Sequence, residues 1–122
     1  MQLSIFNGNL QISWEWYEQF LTLNLNQTFV IPLNHIKSVS TAEPVSSWTE
    51  IRSPGTSIPG IIKAGTYYSS RGKEFWYVTQ DKNYLAVELK DEPFQRIILT
   101  IDHHQDWAER INQSIPNSEI AN

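Results

Sequence analysis

Lys73-Glu74-Phe75-Trp76-Tyr77-Val78-Thr79-Gln80, Tyr84-Leu85-Ala86-Val87-Glu88-Leu89-Lys90 and Arg96-Ile97-Ile98-Leu99-Thr100-Ile101 are three short runs rich in β-branched and aromatic residues. The turn formers Asp81-Lys82-Asn83 and Asp91-Glu92-Pro93 separate them. Such runs bounded by Asn, Asp and Pro read as strands. Residues 102–115 follow with a different period: Trp107, Ile111 and Ile115 recur every fourth residue, while Asp106, Glu109, Arg110 and Gln113 fall on the opposite side. That spacing predicts one amphipathic helix. Asp102 stands where an N-cap belongs, and Gln105 three positions on completes an Asp-x-x-Gln box. Strands first and a lone helix last predict a small barrel or sandwich closed by that helix, with Trp107 as the plug of an open barrel end.

Outward from this core the pattern continues. Leu3 and Ile5, then Leu10, Ile12 and Trp14, alternate with polar neighbours on either side of Asn7-Gly8-Asn9, a strong hairpin signal. From Trp14 to Leu21 two periods overlap. Trp16, Phe20 and Leu23 fit a helical face, whereas residues 20–25 alternate like a strand, so a helical turn over 15–19 and a strand over 20–25 are expected. Thr28-Phe29-Val30-Ile31 reads as a strand stopped by Pro32, then a tight helical turn to Ile36 and a strand over 37–42. Residues 43–60 are rich in Pro, Gly, Ser and Thr and read as a long irregular connection before a strand over 61–68. One domain over residues 1–115 and a loose tail over 116–122 are expected.

A chain of 122 residues can bury a core of its own. It has no cysteine, hence no disulfide, thiolate nucleophile or thiolate-bound metal. The first residues lack the basic flank and apolar run of a signal peptide, and no stretch reaches the length of a membrane span, so a soluble cytoplasmic protein is expected. The formal net charge of -4 disfavours nucleic acid and anionic membranes as partners.

Taken together, Pro59-Gly60-Ile61-Ile62-Lys63-Ala64-Gly65-Thr66-Tyr67, Gly72-Lys73-Glu74-Phe75-Trp76-Tyr77-Val78, Tyr84-Leu85-Ala86-Val87-Glu88-Leu89, Arg96-Ile97-Ile98-Leu99-Thr100-Ile101-Asp102 and the closing helix resemble a bacterial PH-like (pleckstrin homology-like) domain. The resemblance covers roughly residues 55–115. It implies a mainly β fold, a bent antiparallel barrel of two near-orthogonal sheets with about seven strands, capped by the C-terminal helix. It also implies a binding scaffold for headgroups, peptides or proteins. Phosphoinositide binders of this family have a basic first hairpin, whereas here no Lys or Arg precedes Lys37, so that headgroup site is not carried over.

Catalytic and metal motifs are not found. Adjacent histidines His103 and His104 point about 100° apart on a helix and do not grip one ion as histidines four apart do. Pro54-Gly55-Thr56-Ser57-Ile58-Pro59-Gly60 lacks the Lys-Ser/Thr pair of a phosphate cradle. No cofactor, metal or catalytic group is assigned. The stronger lead is the aromatic content, five Trp and five Tyr. Phe75 and Tyr77 alternate with Trp76 along one strand, so large rings fall on both its faces, and Tyr67 and Tyr68 do the same on the strand before it. Exposed rings of this kind mark interfaces. The candidate binding residues are Trp48, Pro54, Gly55, Tyr67, Tyr68, Trp76 and Tyr77. The expected function is a non-catalytic module that binds a protein partner or self-associates into a homo-oligomer. The alternative is a domain for a small molecule, lipid headgroup or glycan.

Overall fold

The computed structural model describes residues 1–22, 27–43, 51–52, 61–69, 72–81 and 83–116. Strands β1 (Gln2–Phe6) and β2 (Asn9–Ser13) form the expected hairpin. Asn7 and Gly8 both take positive φ, 53° and 76°, which is the twist that a two-residue hairpin loop requires. A short helix α1 (Trp16–Thr22) follows, then β3 (Thr28–Pro32), a 3-10 turn over Leu33–His35, and β4 (Ile36–Ser40). The chain continues with β5 (Ile51–Arg52), β6 (Ile61–Ser69), β7 (Gly72–Thr79), β8 (Tyr84–Leu89), β9 (Arg96–Thr100) and α2 (His104–Ser114). No helix among the described residues is long and apolar enough to cross a membrane.

The fold is mainly β with a C-terminal helix, but its sheets do not close into a barrel. β1-β2-β3 is a three-stranded antiparallel sheet, and β4-β8-β9-β7-β6-β5 is a second sheet of five longer strands and a two-residue edge strand. The departure from an antiparallel barrel lies in the middle of the large sheet. β9 sits between β7 and β8, antiparallel to β8 and parallel to β7. Consecutive strands β7 and β8 are therefore not neighbours.

A buried ion pair ties the two parallel strands. Glu74 and Arg96 face each other across the parallel pair, and both are buried. Arg96 Nε donates to Glu74 Oε2 and Nη2 to Oε1, each at 3.0 Å, a bidentate fork. Trp76 Nε1 and Gln95 Nε2 add bonds to the same carboxylate, also at 3.0 Å. Burial alone would raise the Glu74 pKa. The bonds from Arg96, Trp76 and Gln95, with the Arg96 charge, outweigh it and hold the group below its ordinary value.

The main core lies between the two sheets. Leu3, Leu10, Ile12, Phe29 and Ile31 from the small sheet meet Phe75, Tyr77, Leu85, Val87, Ile97 and Leu99 from the large one. Trp14 stands edge-on to Phe29, Phe75 and Tyr77, with ring centroids 5.2 to 5.9 Å apart. Ala108 and Ile111 of α2 complete this core, while Trp107 and Ile115 are only partly covered. With no barrel end to plug, Trp107 instead carries the Arg110 guanidinium over its ring at 4.8 Å. The expected cap is also different: His103, in the left-handed region, occupies the N-cap position with no side-chain bond, and Asp102 lies outside the helix. α2 is fastened further along, where Asn112 bonds both backbone groups of Val39, Oδ1 accepting at 3.0 Å and Nδ2 donating at 2.9 Å. The amide thus takes the place of a neighbouring strand at the β4 edge.

α1 runs through Phe20 to Thr22, where a strand was expected. Glu18 Oε1 accepts the Glu15 N–H at 2.8 Å, and the Thr22 hydroxyl donates to the Glu18 carbonyl at 2.8 Å, so local bonds favour the helix. Glu18 and Thr22 of this helix are buried, while Trp16 is 77% exposed.

Arg96→Met leaves a buried carboxylate without its cation and is expected to cost about 3 to 5 kcal/mol in urea unfolding. Replacing Glu74 and Arg96 together by Met should cost less than that single change. Because the folded pKa of Glu74 is depressed below 4.5, its stabilising contribution is complete above that value and is lost as pH falls through the folded one. Glu74→Gln should flatten this acid limb. In the helix, Ile111→Ala is expected to cost about 2 to 5 kcal/mol, more than Trp107→Ala, since Ile111 is the fully buried residue of the two.

Candidate functional site

The described residues among those singled out in the sequence do not converge on one surface. Trp48, Pro54 and Gly55 lie outside the described residues. Tyr67 and Trp76 are buried on the face of the large sheet away from the main core, packed with Val78, Ala86 and Ile98. Lys63 Nζ lies 3.7 Å from the Trp76 ring centroid and 4.3 Å from that of Tyr67, so its ammonium sits over both rings. Tyr77 points the opposite way into the main core. Only Tyr68 of the four described tyrosine and tryptophan candidates is exposed. The expectation of exposed rings on β7 is corrected: residues 74–78 are all buried, because both faces of this strand are covered.

A more complete arrangement lies at the free edge of β3. Leu33 N–H donates to Gly8 C=O and Trp14 N–H to Gln27 C=O, both at 2.9 Å. With the pairing Leu10 to Ile31 and Ile12 to Phe29, these bonds fix which β3 residues face β2. In an antiparallel ladder the alternate residues turn their backbone groups the other way. The N–H and C=O of Thr28 and Val30 therefore point out of the sheet, and nothing among the described residues pairs with them. The outer side chains along this edge, Thr28 and Val30, are exposed, and none of β1, β2 or β3 carries a charged residue.

Beside this edge opens a cavity of about 190 Å³, walled mostly by Phe29, Ile31, Leu89, Pro93, Phe94 and Ile97, with Glu92 and the edge residues Thr28 and Val30 at its sides. Its far wall is the β8–β9 connection, and several bonds fix that wall. Lys90 N–H donates to His35 C=O at 2.9 Å, Gln95 N–H to Lys73 C=O at 2.8 Å, and His35 Nδ1 lies 2.6 Å from Glu92 Oε2. Phe94 packs edge-on to Phe75 and tilted over Phe29, with centroids 5.6 and 6.0 Å away. An unpaired strand edge next to a preformed apolar cavity is chemically suited to an extended peptide, main chain against main chain with one apolar side chain inserted. Sequence reading missed Thr28, Val30 and Phe94. The available signals were an uncharged β-branched run ending in proline and an aromatic placed directly after Pro93.

No family model, no curated protein and no solved structure matches the chain.

Phe94→Ala opens the groove wall and is expected to cost about 1 to 3 kcal/mol in urea unfolding, below the cost of a fully buried Phe. Tyr77 yields a second test. Burial, then the charges of Glu18 and Tyr17, push its hydroxyl up to about 12 from an ordinary 10.0. A phenol whose folded pKa is raised ionises first in the unfolded chain, so stability should fall as pH rises from the ordinary value through the folded one. In an ultraviolet titration a phenolate transition near 12 should be present and should vanish in Tyr77→Phe.

Proposed function

We propose that this domain is a non-catalytic interaction module that binds an extended segment of a protein partner by strand addition along β3. The observation that carries the reading is the outward N–H and C=O of Thr28 and Val30 beside the cavity of Phe29, Ile31, Leu89, Pro93, Phe94 and Ile97. Main-chain bonds supply affinity in this mode, and the cavity selects an apolar side chain at one position of the segment. The uncharged small sheet supports it further, because a chain of net charge -4 meets a partner there without like-charge repulsion. The PH-like resemblance supplies the role of a binding scaffold, while the parallel β7–β9 pair departs from that family's antiparallel barrel. A cytoplasmic setting is part of the same proposal and agrees with a chain free of cysteine.

Val30→Pro tests the reading, since it removes one outward N–H without touching the β2–β3 ladder, and edge strands accept proline. Peptides selected from a displayed library on the native domain should alternate apolar and polar residues. They should bind Val30→Pro at least about tenfold more weakly, with circular dichroism unchanged. Phe94→Trp, which fills the cavity and leaves the backbone edge intact, should weaken the same peptides. Selection of no peptide, or equal binding to both variants, would overturn the proposal. A concentration-dependent dimer that Val30→Pro abolishes would identify the partner as a second copy.

A further inference from the structure

Charge is unevenly placed around the apolar groove. Glu92 is the charged residue among the described ones that line it, and its carboxylate is engaged, with Oε2 2.6 Å from His35 Nδ1. Lys73 is the cation beside it. Its Nζ lies over the ring of Phe94, 5.0 Å from the centroid, and Phe94 is part of the groove wall. No carboxylate among the described residues pairs with this ammonium.

The pleat fixes which way Lys73 faces. Lys73, Phe75 and Tyr77 alternate along β7, so the half-buried Lys73 shares the face of two residues that belong to the core between the sheets. Phe75 is 5.0 Å from Phe29 of β3 and 5.6 Å from Phe94, ring centroid to centroid, so Lys73 stands at the Phe29 end of the groove. The engaged pair of His35 and Glu92 stands at the other end, where the turn follows Pro32. The donors of the β3 edge also lie toward Lys73. Pro32 is the next position with the parity of Thr28 and Val30, and it has no N–H to give. A strand added along Thr28 and Val30 turns every second side chain toward the groove, and such side chains stand about 7 Å apart. When one fills the cavity, the next on that face comes to the rim formed by Phe94 and Lys73. An ammonium held over a ring and left without a counter-ion is complemented there by a carboxylate.

We propose that the segment bound at β3 carries an Asp or Glu two residues from its apolar anchor, and that Lys73 is the residue that selects it. The inference rests on the strand-addition reading and adds to it the charge of the partner. The carboxylate belongs to a side chain within the segment, because a chain end directs its carboxylate along the strand and not down onto the face where Lys73 lies.

The test is selection of peptides from a displayed random library on the native full chain and, separately, on Lys73→Gln, followed by titration of synthetic peptides capped at both ends. Peptides selected on the native chain should carry Asp or Glu two positions from an apolar residue, and those selected on Lys73→Gln should not. Changing that acidic residue to its amide should weaken binding to the native chain about threefold to tenfold and leave binding to Lys73→Gln within about a factor of two. Lys73→Arg, which keeps the charge, should keep the preference. The difference between the acidic peptide and its amide should shrink as salt rises from about 0.05 to about 0.5 M; this arm uses the native chain alone and decides the matter even if Lys73→Gln does not fold. The proposal is overturned if the selected peptides show no acidic preference, if the amide change weakens binding to the native chain and to Lys73→Gln equally, or if a free terminal carboxylate replaces the acidic side chain without loss. In each of these cases strand addition itself stands as long as Val30→Pro still weakens the same peptides. A library that yields no peptide overturns strand addition and this inference with it.

Discussion

A carboxylate buried in the middle of a sheet must be met by a cation, and in this domain that requirement arranges the strands. Glu74 is fully buried at the start of β7, and the cation that meets it is Arg96, the first residue of β9. Their alignment seats β9 against β7 in parallel and leaves β8 on the far side of β9. Two features follow from that order. The carboxyl ends of β7 and β9 come together and leave a polar space between them. At the other end, the connection from β8 back to β9 is carried toward β3, where Pro93 and Phe94 become the wall of the apolar groove. The gain in net stability from such a pair is small against its desolvation, whereas removing one partner alone leaves a costly buried charge.

The local elements were legible in the sequence because their causes are local. Asn7-Gly8 sets the hairpin, Pro32 ends β3 into a 3-10 turn, and the apolar runs of β7, β8 and β9 stand within a residue or two of their expected bounds. Strand order was not legible, because it depends on which buried charge finds which partner 22 residues away. The helix starts misled for a related reason. Asp102 has the chemistry of an N-cap, but His103 takes the left-handed backbone and the helix begins after it. In α1, Trp16 was read on the helix's apolar face but is exposed, whereas Glu18 and Thr22 are buried and Glu18 finds the Met1 amino group.

The described candidates Tyr67, Tyr68, Trp76 and Tyr77 lie on β6 and β7 and not on the β3 edge. Rings on both faces of one strand were read as partly exposed, whereas residues 74–78 of that strand are buried on both faces. Trp76 gives its N–H to Glu74, and Lys63 lies over its face, so this tryptophan serves the ion pair. The strand edge left unpaired among the described residues runs through Thr28 and Val30, which attract no attention in a sequence. What distinguishes them is backbone direction, which side-chain identity does not encode. The contrast with β4 is instructive, since that edge is closed by the amide of Asn112 and the β3 edge has no comparable cover among the described residues.

The insertion of β9 between its neighbours also orders events during synthesis of the chain. β6 and β7 form a hairpin from adjacent segments, yet the face carrying Glu74 has no counter-ion until Arg96 has been made. A nascent chain ending before that residue holds an unneutralised carboxylate exactly where the sheet should become dry. β8 and β9, joined by a short connection, can pair with each other and then dock on β7 as a unit, closing the widest loops last. The bonds between Glu74 and Arg96 can therefore form only once residue 96 has been made.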